Sequence, residues 1–77
     1  MRVWVRTFGD IYLPQAPNGL DHSLDIPPGS TLGDLLGILM IPPESVGIMS
    51  VNGARANESR LLHEGDRVDI SSPIGGG

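Results

Sequence analysis

The sequence has no cysteine and no lysine, and aromatic residues make up only 4% of its 77 positions. Without cysteine there is no disulfide, thiolate zinc site or iron–sulfur cluster to staple so short a chain. Without lysine, and with a net charge of −4 from nine acids against five bases, it is a poor match for a phosphate backbone, so no nucleic-acid partner is expected. No apolar run approaches the ~18 residues of a membrane span, and the first residues alternate like a strand instead of forming a secretion signal. The expectation is one small, soluble, cytoplasmic domain. Its core must be built from Val, Ile, Leu and Met, because little else is available, and it is too small for a deep catalytic pocket.

Arg2 to Phe8 alternates with the period of two that marks a strand, with Val3, Val5 and Thr7 on one face and Arg2, Trp4, Arg6 and Phe8 on the other. Prolines and Asn18-Gly19 make residues 11–21 a loop or wide hairpin turn. Leu24 and Ile26 mark a short second strand, ended by Pro27-Pro28. Leu32, Leu35, Leu36, Leu39 and Met40 form the one helical stripe. Thr31 is its N-cap, with Asp34 as an Asp variant of the capping box. Ile41-Pro42-Pro43 ends it after about ten residues, because the residue before a proline avoids the α region. Residues 46–51 read as a third strand, closed by the turn signal Asn52-Gly53. A polar connector from Ala54 to Arg60, with room for a very short strand, and a turn at Gly65 precede the last strand, around Val68 and Ile70. One helix and this strand order predict an α+β fold: a mixed four- to five-stranded sheet, its first and last strands parallel at the centre, the helix across one face. That arrangement is a β-grasp, or ubiquitin-like, domain over residues 1–72, followed by a flexible glycine tail at 73–77. The expected core is Val3, Val5, Leu24, Ile26, Leu32, Leu35, Leu36, Leu39, Met49, Val51, Leu62, Val68 and Ile70.

Few residues offer chemistry. His22 and His63 stand alone, whereas zinc needs three or four converging ligands, so both read as surface histidines and no metal site is expected. Ser30-Thr31 lacks the lysine of a phosphate loop, and helix capping accounts for both residues. Asn57-Glu58-Ser59 fits a glycosylation triplet that a cytoplasmic chain would never present to the machinery. No Ser, His and Asp stand in a nucleophilic arrangement, so the chain is not expected to be an enzyme. Two features remain. Trp4, between Arg2 and Arg6, either lies on the open face of the sheet as a docking residue or packs under the loop of residues 11–21. The ending Ser72-Pro73-Ile74-Gly75-Gly76-Gly77 is either a frayed end (or a remnant of cloning) or a threadable segment. Glycines pass a narrow tunnel, residues 73–77 reach roughly 16–18 Å when extended, and an ionised α-carboxyl can attack a nucleotide phosphate.

Val51-Asn52-Gly53, Leu62-x-Glu64-Gly65-Asp66-x-Val68 and Pro73-Ile74-Gly75-Gly76-Gly77, in this order, resemble the sulfur-carrier family of the molybdopterin-synthase small subunit and the thiamine-biosynthesis carrier (MoaD/ThiS). The helix start from Thr31 to Leu36 is also similar, so the likeness covers essentially the whole chain. The resemblance implies a co-substrate that binds no cofactor itself. An E1-like enzyme would use ATP to adenylate Gly77, with Gly76 required beside it. A sulfur donor such as a cysteine desulfurase or rhodanese would then yield a C-terminal thiocarboxylate, and an acceptor synthase would take the sulfur. Trp4, Arg2, Arg6, Pro73, Ile74 and Gly75 would serve in binding. The receiving product is left open among molybdopterin, tungsten cofactor, thiamine, transfer-RNA thiolation and amino-acid synthesis. A protein modifier conjugated through Gly77 and a non-catalytic β-grasp interaction module are the rival classes. One departure stands out: Ser72 occupies the place of a first proline, which predicts a less rigid exit from the last strand.

Overall fold

The computed structural model describes residues 1–11, 13 and 17–73. Strand β1 (Arg2–Phe8) follows its alternation, with Val3, Val5 and Thr7 buried. Strand β2 (His22–Asp25) returns antiparallel beside it, so the segment between them is a wide hairpin connection. Helix α1 (Leu32–Ile38) follows, then a short 3-10 turn (Pro43–Ser45) and strands β3 (Ile48–Val51), β4 (Ala54–Arg55) and β5 (Arg67–Ser71). The sheet order is β2-β1-β5-β3-β4. β1 and β5 pair in parallel at the centre, and the other pairs are antiparallel. This is the expected β-grasp fold.

Helix α1 starts as its sequence dictates. Thr31 accepts the Asp34 N–H and Asp34 accepts the Thr31 N–H, a reciprocal capping box. The connector between β4 and β5 satisfies two more first-turn donors, because the Leu32 and Gly33 N–H groups donate to the Arg60 and Glu58 carbonyls. A Cβ on Gly33 would stand 3.3 Å from Glu58, whereas one on Gly37 would meet nothing within 4 Å. Gly33 therefore admits the connector, and Gly37 has no such role.

The helix is seven residues long, not about ten, and proline does not end it. Met40 takes a left-handed φ of 60° and donates its N–H to the Gly37 carbonyl, while the Ile41 N–H reaches back to Leu36. These two bonds are a Schellman closure, with Leu36 and Ile41 supplying the apolar contact that accompanies it. Met40, placed in the stripe by spacing, is consequently 87% exposed.

The core joins the inward residues of the strands to Leu32, Leu35 and Leu36 of the helix. Leu24 and Leu39 are only half-buried at its margin, contrary to expectation, while Ile11, Leu13 and Ile41 are buried members that their loop settings concealed. Strand β3 begins at Ile48, two residues later than the alternation suggested, since the 3-10 turn and Gly47 occupy the approach. Its hairpin with β4 turns at Asn52-Gly53, both at positive φ, as a two-residue turn of the I′ kind demands.

Candidate functional site

The motifs that mark residues 51–68 prove to be one structural knot. Asn52 Nδ2 donates to Asp66 Oδ1 at 2.9 Å, and Asn52 Oδ1 accepts the Arg67 N–H at 2.9 Å. Buried Asp66 accepts the His63 N–H on its other oxygen at 2.8 Å, while Glu64 accepts the Arg2 N–H at the start of β1. Leu62 lies in the core and Gly65 has a φ of 83°. Asn52 and Asp66 thus tie the β3–β4 turn to the turn that enters β5, and Glu64 ties that turn to β1.

The other candidate residues lie on the open face and at the end of β5. Val3 and Val5 are fully buried, so Trp4 faces away from the helix, half-buried, beside Arg67 of β5 and Ser23 of β2. Among the described residues of the long connection, Ile11 and Leu13 join the core and Leu20 is exposed. Arg2 and Arg6 flank Trp4 as foreseen, but both are ion-paired. Arg6 makes a two-point contact with Asp69 at 2.8 and 3.0 Å and lies 3.8 Å from Asp21, which also takes Arg67 at 2.7 Å. Arg2 pairs with Asp25 at 3.5 Å. The hydrogen bond and the charge of Asp69 hold the Arg6 proton more firmly than in free arginine.

At the other end of the face, about 13 Å along β1 from Trp4, stand two residues that were not singled out for docking. Phe8 and Ile48 are 36% and 37% exposed and lie on either side of Ser71, the last residue of β5. The Arg6 guanidinium sits 5.4 Å from the Phe8 ring centroid, within cation–π range. Phe8 was legible as a neighbour of Trp4 by alternation. Ile48 was not, because its face depends on the register of β3 against β5.

Ser72 and Pro73 lead away from this end. Ser72 is held at two points: its N–H donates to the Phe8 carbonyl at 3.2 Å, and its Oγ accepts the Asp10 N–H at 3.0 Å. The exit is therefore fastened, not loosened, by having serine where a proline was the comparison. A proline would lack the N–H that bonds Phe8. Pro73 is exposed. The expected site residues Ile74, Gly75, Gly76 and Gly77 lie outside the described residues. Among the described residues there is no cluster of three or more potential metal ligands, and no helix is long and apolar enough to cross a membrane.

The ThiS family matches residues 13–77. The chain belongs to the ThiS family. That match supports reading it as a ubiquitin-like sulfur carrier, as its motifs suggested, and it reaches the final glycines. It leaves out β1, so Trp4, Arg2, Arg6 and Phe8 stand on geometry alone. No curated protein sequence matches the chain. Among solved structures it is similar to SAMP1 from Haloferax volcanii, at 20% identity and a TM-score of 0.69 over 100% of both chains. It is also similar to a chain in the complex of subunits 1 and 2 of molybdopterin-converting factor from Helicobacter pylori 26695, at 24% identity and a TM-score of 0.64, again over 100% of both. At such identities the likeness establishes the β-grasp fold for this ThiS-family chain and nothing further.

Proposed function

We propose that this chain is a sulfur carrier whose Gly77 carboxyl is the reacting group. Residues 1–72 form the domain that an activating enzyme grips, and residues 73–77 are the segment it threads. A free carboxylate is a poor electrophile. Attack of its oxygen on the α-phosphorus of ATP, with loss of pyrophosphate, makes an acyl adenylate in an E1-like partner. A donor persulfide, from a cysteine desulfurase or rhodanese, then attacks the acyl carbon and expels AMP. A thiol reduces the resulting acyl disulfide to the thiocarboxylate. ATP and catalytic groups belong to the partner, in the cytoplasm where ATP is supplied, and this chain is a co-substrate. The observation that carries the reading is the ThiS match through Gly77.

The open face, from Trp4 with Arg2 and Arg6 to Phe8 and Ile48, is the docking surface in this reading. Its apolar end adjoins the root of the tail, so one partner surface can hold the face and receive the segment together. The similar chain in a two-subunit molybdopterin-converting factor complex supports an acceptor synthase as the later partner.

The test is intact-mass measurement of the chain after incubation with ATP, its activating enzyme and a sulfur donor. The wild type should gain the mass difference of sulfur for oxygen. Gly76→Ala adds a Cβ and removes backbone angles open only to glycine, and one residue added beyond Gly77 moves the carboxylate by roughly 3.3–3.6 Å. Both should remain unmodified. Equal sulfur gain by all three would end the carrier reading, and attachment of Gly77 to lysines of other proteins would replace it with a modifier.

A further inference from the structure

The two residues that follow β5 are gripped from both sides. The loop after β1 holds Ser72 through the Phe8 carbonyl and the Asp10 N–H. That loop approaches closely at Gly9, whose φ is +77° and where a Cβ would run into the Ser72 side chain. Asn18 braces it, donating to the Gly9 carbonyl at 2.7 Å and accepting from the hydroxyl of buried Thr7. On the other side Gly47 donates its N–H to the Ser71 carbonyl at 2.7 Å. A Cβ on Gly47 would lie 2.6 Å from Pro73 Cα, 2.8 Å from Pro73 N and 2.8 Å from the Ser72 carbonyl oxygen, where ordinary contact begins at 3.4 Å. These are backbone atoms, so no rotamer change can make room. Gly47 is not among the residues at positive φ. Its conformation does not ask for glycine; the closeness of Ser72-Pro73 does.

We propose that Gly47 and Ser72 are positioning residues that set the direction in which the chain beyond Pro73 leaves the sheet, and so aim the Gly77 carboxyl at the nucleotide. This rests on the carrier reading. The chain beyond Pro73 starts from this origin, and a Cβ at 47, 2.6 Å from Pro73 Cα where ordinary contact begins at 3.4 Å, forces the exit and the residue-47 loop apart by somewhat under 1 Å. A misplacement of that size, remote from the chemistry, costs on the order of 10²-fold in rate. Gly47 and Ser72 border the Phe8–Ile48 end of the docking face, so a positioning role shows as a loss in turnover that exceeds any change in recognition.

The experiment is ATP–pyrophosphate exchange by the activating enzyme with full-length chains, resolved into kcat and KM, alongside thermal melts. Gly47→Ala should lower kcat by about 10²-fold, with a much smaller change in KM. Ser72→Ala, which removes one hydrogen bond and adds no bulk, should lower kcat several-fold, and Ser72→Thr, which keeps the hydroxyl, should restore it. If Gly47→Ala fails to fold, the two Ser72 variants decide alone. Wild-type kcat in both Gly47→Ala and Ser72→Ala would overturn the positioning role while leaving the carrier reading in place, as would a loss confined to KM. No exchange with the wild-type chain would remove the carrier reading and this proposal with it.

Discussion

The two faces of the sheet are made from the same strands, residue by residue, yet they differ in kind. On the covered face Val3, Val5, Val51, Val68 and Ile70 meet the helix leucines and are almost wholly withdrawn from water. On the open face arginines alternate with aspartates around one tryptophan, and the exposed apolar pair Phe8 and Ile48 is confined to the end where the chain departs. Burial of aliphatic surface is what an 8.2 kDa domain must use to fold. Paired surface charges contribute little to stability. In a chain this small the division is sharp: one face carries folding, and the other is the face proposed here for a partner.

The largest way to break the comparison is on the covered face. Leu36 both packs in the core and closes the Schellman turn against Ile41, so Leu36→Ala should cost about 2–5 kcal/mol in chemical denaturation. A loss below 1 kcal/mol would mean that the helix is not the lid of the core. Next comes the knot between the turns. Asp66→Ala strands the Asn52 amide and the His63 N–H, and should cost about 1–3 kcal/mol by the same measurement. On the open face, Trp4→Ala should leave the melting temperature nearly unchanged but weaken binding to the activating enzyme by ~10-fold or more, measured by titration calorimetry. Unaltered affinity would move docking away from Trp4, toward Phe8 and Ile48. Smallest is Gly37→Ala on the outer side of the helix, where a Cβ meets nothing. It should stabilise by somewhat under 1 kcal/mol and leave partner affinity alone, whereas Gly33→Ala, crowded by Glu58, should not stabilise.

Local signals in the sequence carried most of the fold. The alternation of β1, the Thr31–Asp34 capping box and the Asn52-Gly53 turn each depend on neighbours a few residues away, and each formed as read. Ile11 and Leu13 were hidden because a segment rich in Pro and Gly signals a loop, and nothing local tells a loop residue that it will meet the core. The helix end was misplaced because a left-handed Met40 does the work that Pro42 was expected to do. The site divides in the same way. Trp4 and Phe8 followed from alternation within one strand. Ile48 at the tail exit, the pairing of Arg6 with Asp69 and the grip on Ser72 all depend on contacts between distant residues, and periodicity within one segment does not report those.

The central claim is that the open face and the exit of β5 meet the partner while the helix does not. Amide chemical-shift mapping of the isotopically labelled chain, titrated with its activating enzyme, tests it directly. The account predicts that shifts and line broadening concentrate at Trp4, Arg6, Phe8, Ile48, Ser71 and Ser72, with Leu32–Ile38 undisturbed. Perturbations centred on Leu32–Ile38, with the open face silent, would contradict it.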